Sequence, residues 1–320
     1  MSADLGDFYF IAYNKVVRKE FHTNGLRWIH ISKPADEDIQ FINGLFPFNP
    51  FVVESIISPT LHPLVDDFDD HLFLIMHFPI IYKNWQSNEI AEVDFLITKN
   101  LLITVTYTNF ESIEQILGLF NTNEKLKKQI TRHHTGFILH YIIDRLFQKL
   151  IDHLDFMEEE ITIIEDRIFE KRSVKMIEEI SHIRRDILDF RRPLKPQSAV
   201  LKIFVEKAEK FFGKPMAPYL TDIIVTEDRI MSIIDNQKET VDALYQTNES
   251  LMSSNISSII TILTIFSAVI MPLNLMASLW GMNHQTMPLR DGQFDFWIIM
   301  AIMAIIAVSL LVLFKKKRWL

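Results

Sequence analysis

The sequence predicts an α+β cytoplasmic domain, a long helical stalk and two transmembrane α-helices, and three observations carry that reading. Two runs without a charged side chain, 256–280 and 296–314, lie near the end of the chain; each is long enough to cross the roughly 30 Å of bilayer hydrocarbon as a helix. Between Pro218 and Gly281 there is no glycine and Pro272 is the only proline. One continuous helix there would approach about 95 Å at ~1.5 Å per residue, far more than a bilayer is thick. Residues 1–108, by contrast, alternate short strand-like runs with helical ones.

Taken in order, the first 108 residues carry strand-like runs at 8–13, 26–32, 71–82, 93–98 and 101–107, with helical stretches at 35–46 and 51–57. From Phe110 onward Ile, Leu and Phe recur at spacings of three and four between charged residues, the mark of amphipathic helices. Region 109–217 is therefore read as a helical hairpin, with arms at 125–169 and 174–191 turning near Glu170-Lys171-Arg172-Ser173. Within it Glu158-Glu159-Glu160 reads as a solvated helix face. Residues 218–280 form the stalk helix that continues into the first transmembrane helix. Its cytosolic part keeps a heptad seam through Ile223, Ile230, Ile234, Val241, Leu244 and Leu251, which predicts packing against other helices, copies of itself included. Gln237, Asn248 and Asn255 fall on or near that seam, as imperfect core or facing a water-filled axis. Residues 281–293 are an outer loop, 294–314 the second transmembrane helix and 315–320 a basic tail.

Orientation follows from charge. Lys315-Lys316-Lys317-Arg318 should stay in the cytoplasm by the positive-inside bias, and a hairpin then puts both termini on that side of the inner membrane. The first residues, Met1 to Asp7, lack the basic and apolar regions of a signal peptide, which agrees with a cytosolic start. Trp280 and Trp297 are expected at the outer interface and Trp319 at the inner one.

Composition narrows the function. A net charge of −8 argues against nucleic acid and suits cationic ligands. With no cysteine there is no disulfide, thiolate metal site or sulfur redox chemistry. Phosphate-binding glycine loops, nucleophile elbows and His-Glu protease motifs are absent, so an enzyme is not expected.

In the first span the small and polar residues are not scattered. Ser257, Ile260, Thr264, Ser267, Met271, Asn274 and Ser278 follow a 3,4,3,4,3,4 progression and so share one helix face. Such a stripe is either a helix–helix contact or the wall of an aqueous path. Two helices cannot enclose a pore, but a ring of identical subunits can. No Asp, Glu, Lys or Arg interrupts the span, which disfavours a proton relay and suits a cation that keeps its water, as Mg2+ does. An inside-negative potential supplies a divalent ion with about 4.6 kcal/mol per 100 mV, so inward flux needs no chemical coupling.

Gly281-Met282-Asn283 directly after the long first span, preceded by Met271-Pro272-Leu273 and followed by a short loop, a second span and the Lys-rich tail, resembles the CorA magnesium channels. The resemblance covers the whole chain and is clearest from Pro218 to Leu320. It implies a homopentameric funnel in the lipid bilayer that takes up hydrated Mg2+, and Co2+ or Ni2+ by the same route, with Mg2+ also as regulatory ion and no prosthetic group. It further implies that Gly281, Met282 and Asn283 form the selectivity entrance, Asn283 offering a ring of amide oxygens to the hydrated ion and Gly281 letting the chain turn. Ser257, Ile260, Leu263, Thr264, Ser267, Met271, Asn274 and Ser278 would line the pore; Leu263 falls one place off the stripe. Met271, Leu263 and Ile260 would form a constriction that closes by excluding water. The regulatory ion would be held by Asp222 and, from the neighbouring domain, by Glu54.

The chain departs from the family pattern at three places. Ser55 stands where an acid is common, Gln246 replaces a second stalk acid, and the outer loop reads His284-Gln285-Thr286-Met287-Pro288-Leu289-Arg290, with Asp291 as its nearest acid. Weaker cation capture and altered feedback are expected, the latter through Glu54 or the acid-rich Asp66-Asp67-Phe68-Asp69-Asp70. Two rival readings stand beside the channel. One is a zinc transporter of the ZntB type, with or without proton coupling, for which His284 and the His133-His134 pair would favour a softer, borderline metal. The other is a membrane-anchored sensor or scaffold through which no ion passes.

Overall fold

The structure is a computed structural model that describes residues 17–23, 25–80, 89–123, 134–168, 174–282, 294–317 and 319. The expected strand at 8–13, the beginning of the expected helix at 125–169 and the turn at Glu170-Lys171-Arg172-Ser173 lie outside the described residues. The chain divides into two compact units, Met1–Leu244 and Tyr245–Leu320.

The first unit is built on a mixed sheet of six strands, β1 (Val17–Thr23), β2 (Leu26–Ser32), β3 (Leu64–Asp67), β4 (Leu72–Pro79), β5 (Ile90–Ile97) and β6 (Leu101–Thr106). Their order is β1-β2-β6-β5-β4-β3. β2 and β6 pair in parallel and the other neighbours antiparallel. Sequence reading placed β2, β4, β5 and β6 but not the edge strands β1 and β3. Those are rich in charge (Arg18, Lys19, Glu20; Asp66, Asp67), as sheet edges that must not template aggregation commonly are.

Alternation along the strands assigns the two faces. Ile29 and Ile31 of β2, Phe73 and Ile75 of β4, and Ile103 and Val105 of β6 pack with Ile42 of α1 (Asp36–Leu45) and Val52 of α2 (Pro50–Ser55). On the other face Trp28 donates Nε1–H to Thr104 Oγ1 at 3.1 Å, and its ring meets Phe120 of α3 (Glu111–Thr122) edge-on at 5.4 Å. With helices on both faces, β4 is buried along its whole length. α1 starts at an acidic first turn in which Asp38 accepts from the Ala35 N–H at 3.0 Å and from Arg18 at 2.6 Å, which ties β1 to the helix. Asn49 caps α2 by accepting from the Phe51 N–H at 2.9 Å, with Pro50 at the first helical position.

Two long helices follow, α4 (Gly136–Ile168) and α5 (Val174–Phe212). The sequence reading ended the second arm at residue 191, before Pro193 and Pro196; α5 runs through both. Interior prolines cost a helix about 3 kcal/mol or more each, but here Leu194, Leu201 and Phe204 are buried. Gln197 between them is fully buried too, and its Oε1 accepts the His77 N–H of β4 at 3.1 Å. Tertiary burial outweighs the local penalty.

A short 3-10 turn, Lys214–Met216, leads into α6 (Ala217–Gly281). Its seam residues Ile223, Ile230, Ile234, Val241 and Leu244 are already buried within the first unit of a single chain, at 8 % exposure or less. Gln237 belongs to that core, donating Nε2–H to the Leu154 carbonyl of α4 at 2.8 Å. The polar seam position is thus part of the core of a single chain and does not face an aqueous axis. In the second unit Asn248 is buried as well, while Leu251 and Asn255 are half-buried. The second unit is completed by α7 (Asp295–Lys316). α6 and α7 are long and apolar enough to cross a membrane, and of their most apolar 18-residue windows only 6 % and 0 % is buried within the chain. A soluble core helix of that composition would be covered.

Candidate ion path and regulatory site

Within the second unit, Ser257, Ile260, Thr264, Ser267, Met271, Asn274 and Ser278 are all exposed, as is Leu263. The apolar members stand far out, Ile260 at 57 %, Leu263 at 64 % and Met271 at 74 % exposure. Ile265 is buried, and Ala268, Val269, Pro272, Leu273 and Met276 are partly covered. The stripe is exposed along the entire span, as are Ile259, Ile262, Phe266 and Leu275 on other faces, so its small and polar residue types and not exposure alone set it apart. Thr264 donates its hydroxyl to the Ile260 carbonyl one turn back at 2.8 Å. With the proton turned inward, the oxygen lone pairs remain available as acceptors, the polarity a hydrated cation requires.

Gly281 is the last residue of α6, and Met282, itself exposed, donates its N–H to the Leu279 carbonyl at 3.3 Å. No left-handed backbone occurs at Gly281 and a Cβ there would meet nothing within 4 Å. Nothing among the described residues requires glycine at that position. Asn283, the outer-loop residues His284 to Asp291, His133 and Arg318 lie outside the described residues. Trp297 is exposed at the start of α7, as are Lys315, Lys316 and Lys317 at its end, where Trp319 stacks on Phe314 at 5.8 Å.

Asp222 sits on α6 in the first unit, and its Oδ2 lies 3.0 Å from His140 Nε2 of α4. The Asp222 side chain is 55 % exposed and that of His140 16 %. The Tyr219 ring packs edge-on against the imidazole at 5.2 Å and fixes its plane. Sequence reasoning missed His140, since the two residues are 82 positions apart and only the packing of α4 on α6 brings them together. Glu54 is exposed on α2, and Ser55 beside it donates its hydroxyl to the Phe51 carbonyl at 2.8 Å. Gln246 is exposed. Among the described residues no group of three or more histidines and carboxylates is placed to hold a metal within one chain. In the acidic segment, Asp66 and Asp67 belong to edge strand β3, and Asp70 Oδ1 is 2.5 Å from His71 Nδ1.

A different set of titratable groups is buried at one end of the sheet. Glu92 accepts from the Thr60 N–H at 2.6 Å and lies 3.2 Å from His77 Nε2. Asp94 accepts from the Tyr107 hydroxyl at 2.6 Å. Burial, with the Glu92 carboxylate as neighbour, raises the Asp94 carboxyl well above the usual carboxylate range, and burial likewise pushes the Tyr107 phenol upward.

Comparison with known proteins agrees with this architecture. Along 294 residues the chain is 24 % identical to the cobalt/magnesium transport protein CorA of Thermotoga maritima, covering 92 % of this chain and 83 % of that protein. It is 20 % identical over 300 residues to its counterpart in Methanocaldococcus jannaschii, covering 94 % and 93 %. The complete structure of the latter superposes with a TM-score of 0.79 over 94 % of this chain and 93 % of that one, at 20 % identity, so the two share a fold. The family model described as CorA-like Mg2+ transporter protein matches residues 23–316, and the chain therefore belongs to that family.

Proposed function

We propose that this chain carries divalent metal cations, Mg2+ foremost, across the inner membrane through a homopentameric ring, with both termini in the cytoplasm. The observation that carries the reading is the uncharged stripe from Ser257 to Ser278, free along the whole span in one chain. A ring of such faces encloses a path whose wall is made of hydroxyls and an amide. That wall binds the water around a cation without stripping it, which suits an ion that dehydrates reluctantly. Asn283 supplies the entrance ring, Asn274 and Ser257 hold hydrated ion, and Met271, Leu263 and Ile260 close the path when it dewets. Asp222, with Glu54 of a neighbouring subunit, holds the regulatory ion that favours the closed ring. The membrane potential is sufficient drive.

Metal flux into proteoliposomes of the purified full chain tests this, with Mg2+, Zn2+, Co2+ and Ni2+ compared with and without a potential and a pH gradient. Mg2+ uptake that follows potential and ignores pH is expected. Zinc uptake that requires a proton gradient would move the chain to the transporter reading, and no flux of any metal would leave only the scaffold. Asn283→Ala should abolish Mg2+ uptake with assembly intact, and Asp222→Ala should raise flux at high internal Mg2+.

A further inference from the structure

We propose that His140 and Asp222 form one two-donor cation site, and that its imidazole makes it prefer Co2+, Ni2+ or Zn2+ to Mg2+. The two groups are hydrogen-bonded at a spacing that two ligands of one ion also adopt. Two donors in adjacent positions of an octahedral ion with bonds of about 2.1 Å stand about 3.0 Å apart, and His140 Nε2 and Asp222 Oδ2 are separated by 3.0 Å. An ion on the Nε2 axis, which the hydrogen bond now aims at Asp222, can replace that bond once the exposed Asp222 carboxylate swings aside to face the ion.

The ring is already oriented. His140 is mostly covered, with Tyr219 edge-on at 5.2 Å, so the cost of ordering it has been met in folding. Asp222, more than half exposed, leaves the remaining positions open to water or to a neighbouring subunit. Because a single chain supplies two donors, binding is expected to be weak and reversible, as suits a sensor. Imidazole nitrogen is a good ligand for zinc, nickel and their neighbours and a poor one for Mg2+, which keeps to oxygen. Asp222 alone would not discriminate in this way. That the site also controls flux rests on the regulatory reading of Asp222 given above.

The test is calorimetric titration of the detergent-solubilised full chain with Co2+ and with Mg2+. His140→Gln should weaken Co2+ binding at least ten-fold and Mg2+ binding less than two-fold, whereas Asp222→Asn should weaken both. Unchanged Co2+ affinity in both His140→Gln and His140→Ala overturns the site. The native chain gives an independent readout that needs no variant. Co2+, but not Mg2+, should protect His140 from modification by diethyl pyrocarbonate, read by mass spectrometry of its peptide, and equal labelling with and without Co2+ overturns the proposal. Flux separates this inference from the reading beneath it. If Co2+ binds at His140 and flux is indifferent, the site stands and the regulatory role of Asp222 falls. If Asp222→Asn releases the Mg2+ block while Co2+ affinity ignores His140, the reverse holds.

Discussion

Arg191 of α5 donates Nε–H to Asp235 of α6 at 2.8 Å, and seven residues earlier on one helix and later on the other Arg184 Nε lies 2.9 Å from Asp242. The two pairs fix an antiparallel register between the helices at heptad spacing, with Lys238 donating to Asp242 at 2.9 Å. Both acids lie on α6 between seam residues that are themselves buried. Charge therefore specifies which turn of α5 meets which turn of α6, beside an apolar seam that would tolerate a slip.

Because the Arg191 and Asp235 side chains are partly exposed, at 24 % and 49 %, their pairing is worth about 0.5–1 kcal/mol. Arg191→Asp should destabilise the first unit by somewhat more, since it sets two acids together. The exchange Arg191→Asp with Asp235→Arg should recover most of the loss. Thermal unfolding of the purified chain measures both, and a double variant no better than the single one would remove the pair from the register.

Gln237 gives a second prediction. Its Nε2–H bonds to the Leu154 carbonyl in the core, while its Oε1 is buried without a hydrogen-bond partner. Gln237→Leu keeps the volume and removes a polar atom that gains nothing, so it should change stability by less than about 1 kcal/mol in either direction. Gln237→Glu buries a charge among Ile234, Val241 and Leu154 and should cost several times more. Equal effects in a denaturant titration would contradict the core assignment.

These residues also show what could be read from sequence. The seam was legible because burial imposes its period on the residue types, yet spacing alone could not say whether the helix packs on its own chain or on a copy. Burial of Ile223 to Leu244 within the first unit answers that. The stripe from Ser257 to Ser278 was legible for a converse reason, since in lipid a run of small polar groups needs a purpose. α5 was cut short because proline is a local signal, and the contact that overrides it, Gln197 to His77, spans 120 positions. The partnership of His140 with Asp222 was invisible for the same reason.

Asp94 gives the sheet a pH dependence. Its folded pKa is raised, chiefly by burial, so between the ordinary carboxylate range and that raised value the folded chain keeps a proton the unfolded chain has lost. Stability contributed by the neutral acid is full at low pH and declines as pH rises through this window, by at most about 1.4 kcal/mol per pH unit. Asp94→Asn, neutral at every pH and able to accept from the Tyr107 hydroxyl, should flatten the decline. Midpoints of thermal unfolding at pH 5 and pH 8 test this: the native chain should lose more than the variant, and parallel losses would exclude Asp94 as the source.

The proposed constriction can be tested by polarity at constant position. Met271 is the most exposed apolar side chain of the stripe, at 74 %. If a ring of these thioethers and the side chains of Leu263 and Ile260 closes the path by dewetting, a hydroxyl at one level should keep water in the narrow segment and lower the barrier. Met271→Ser is expected to raise Mg2+ flux several-fold at the high internal Mg2+ that favours closure. Ile262 supplies the control, being equally apolar and 67 % exposed but on the far side of the helix by the 3.6-residue period. Ile262→Ser, which removes as much apolar surface from the same span, should leave flux near that of the native protein. If both substitutions raise flux alike, loosened helix packing rather than a wetted constriction is the cause, and Met271 loses its place on the path.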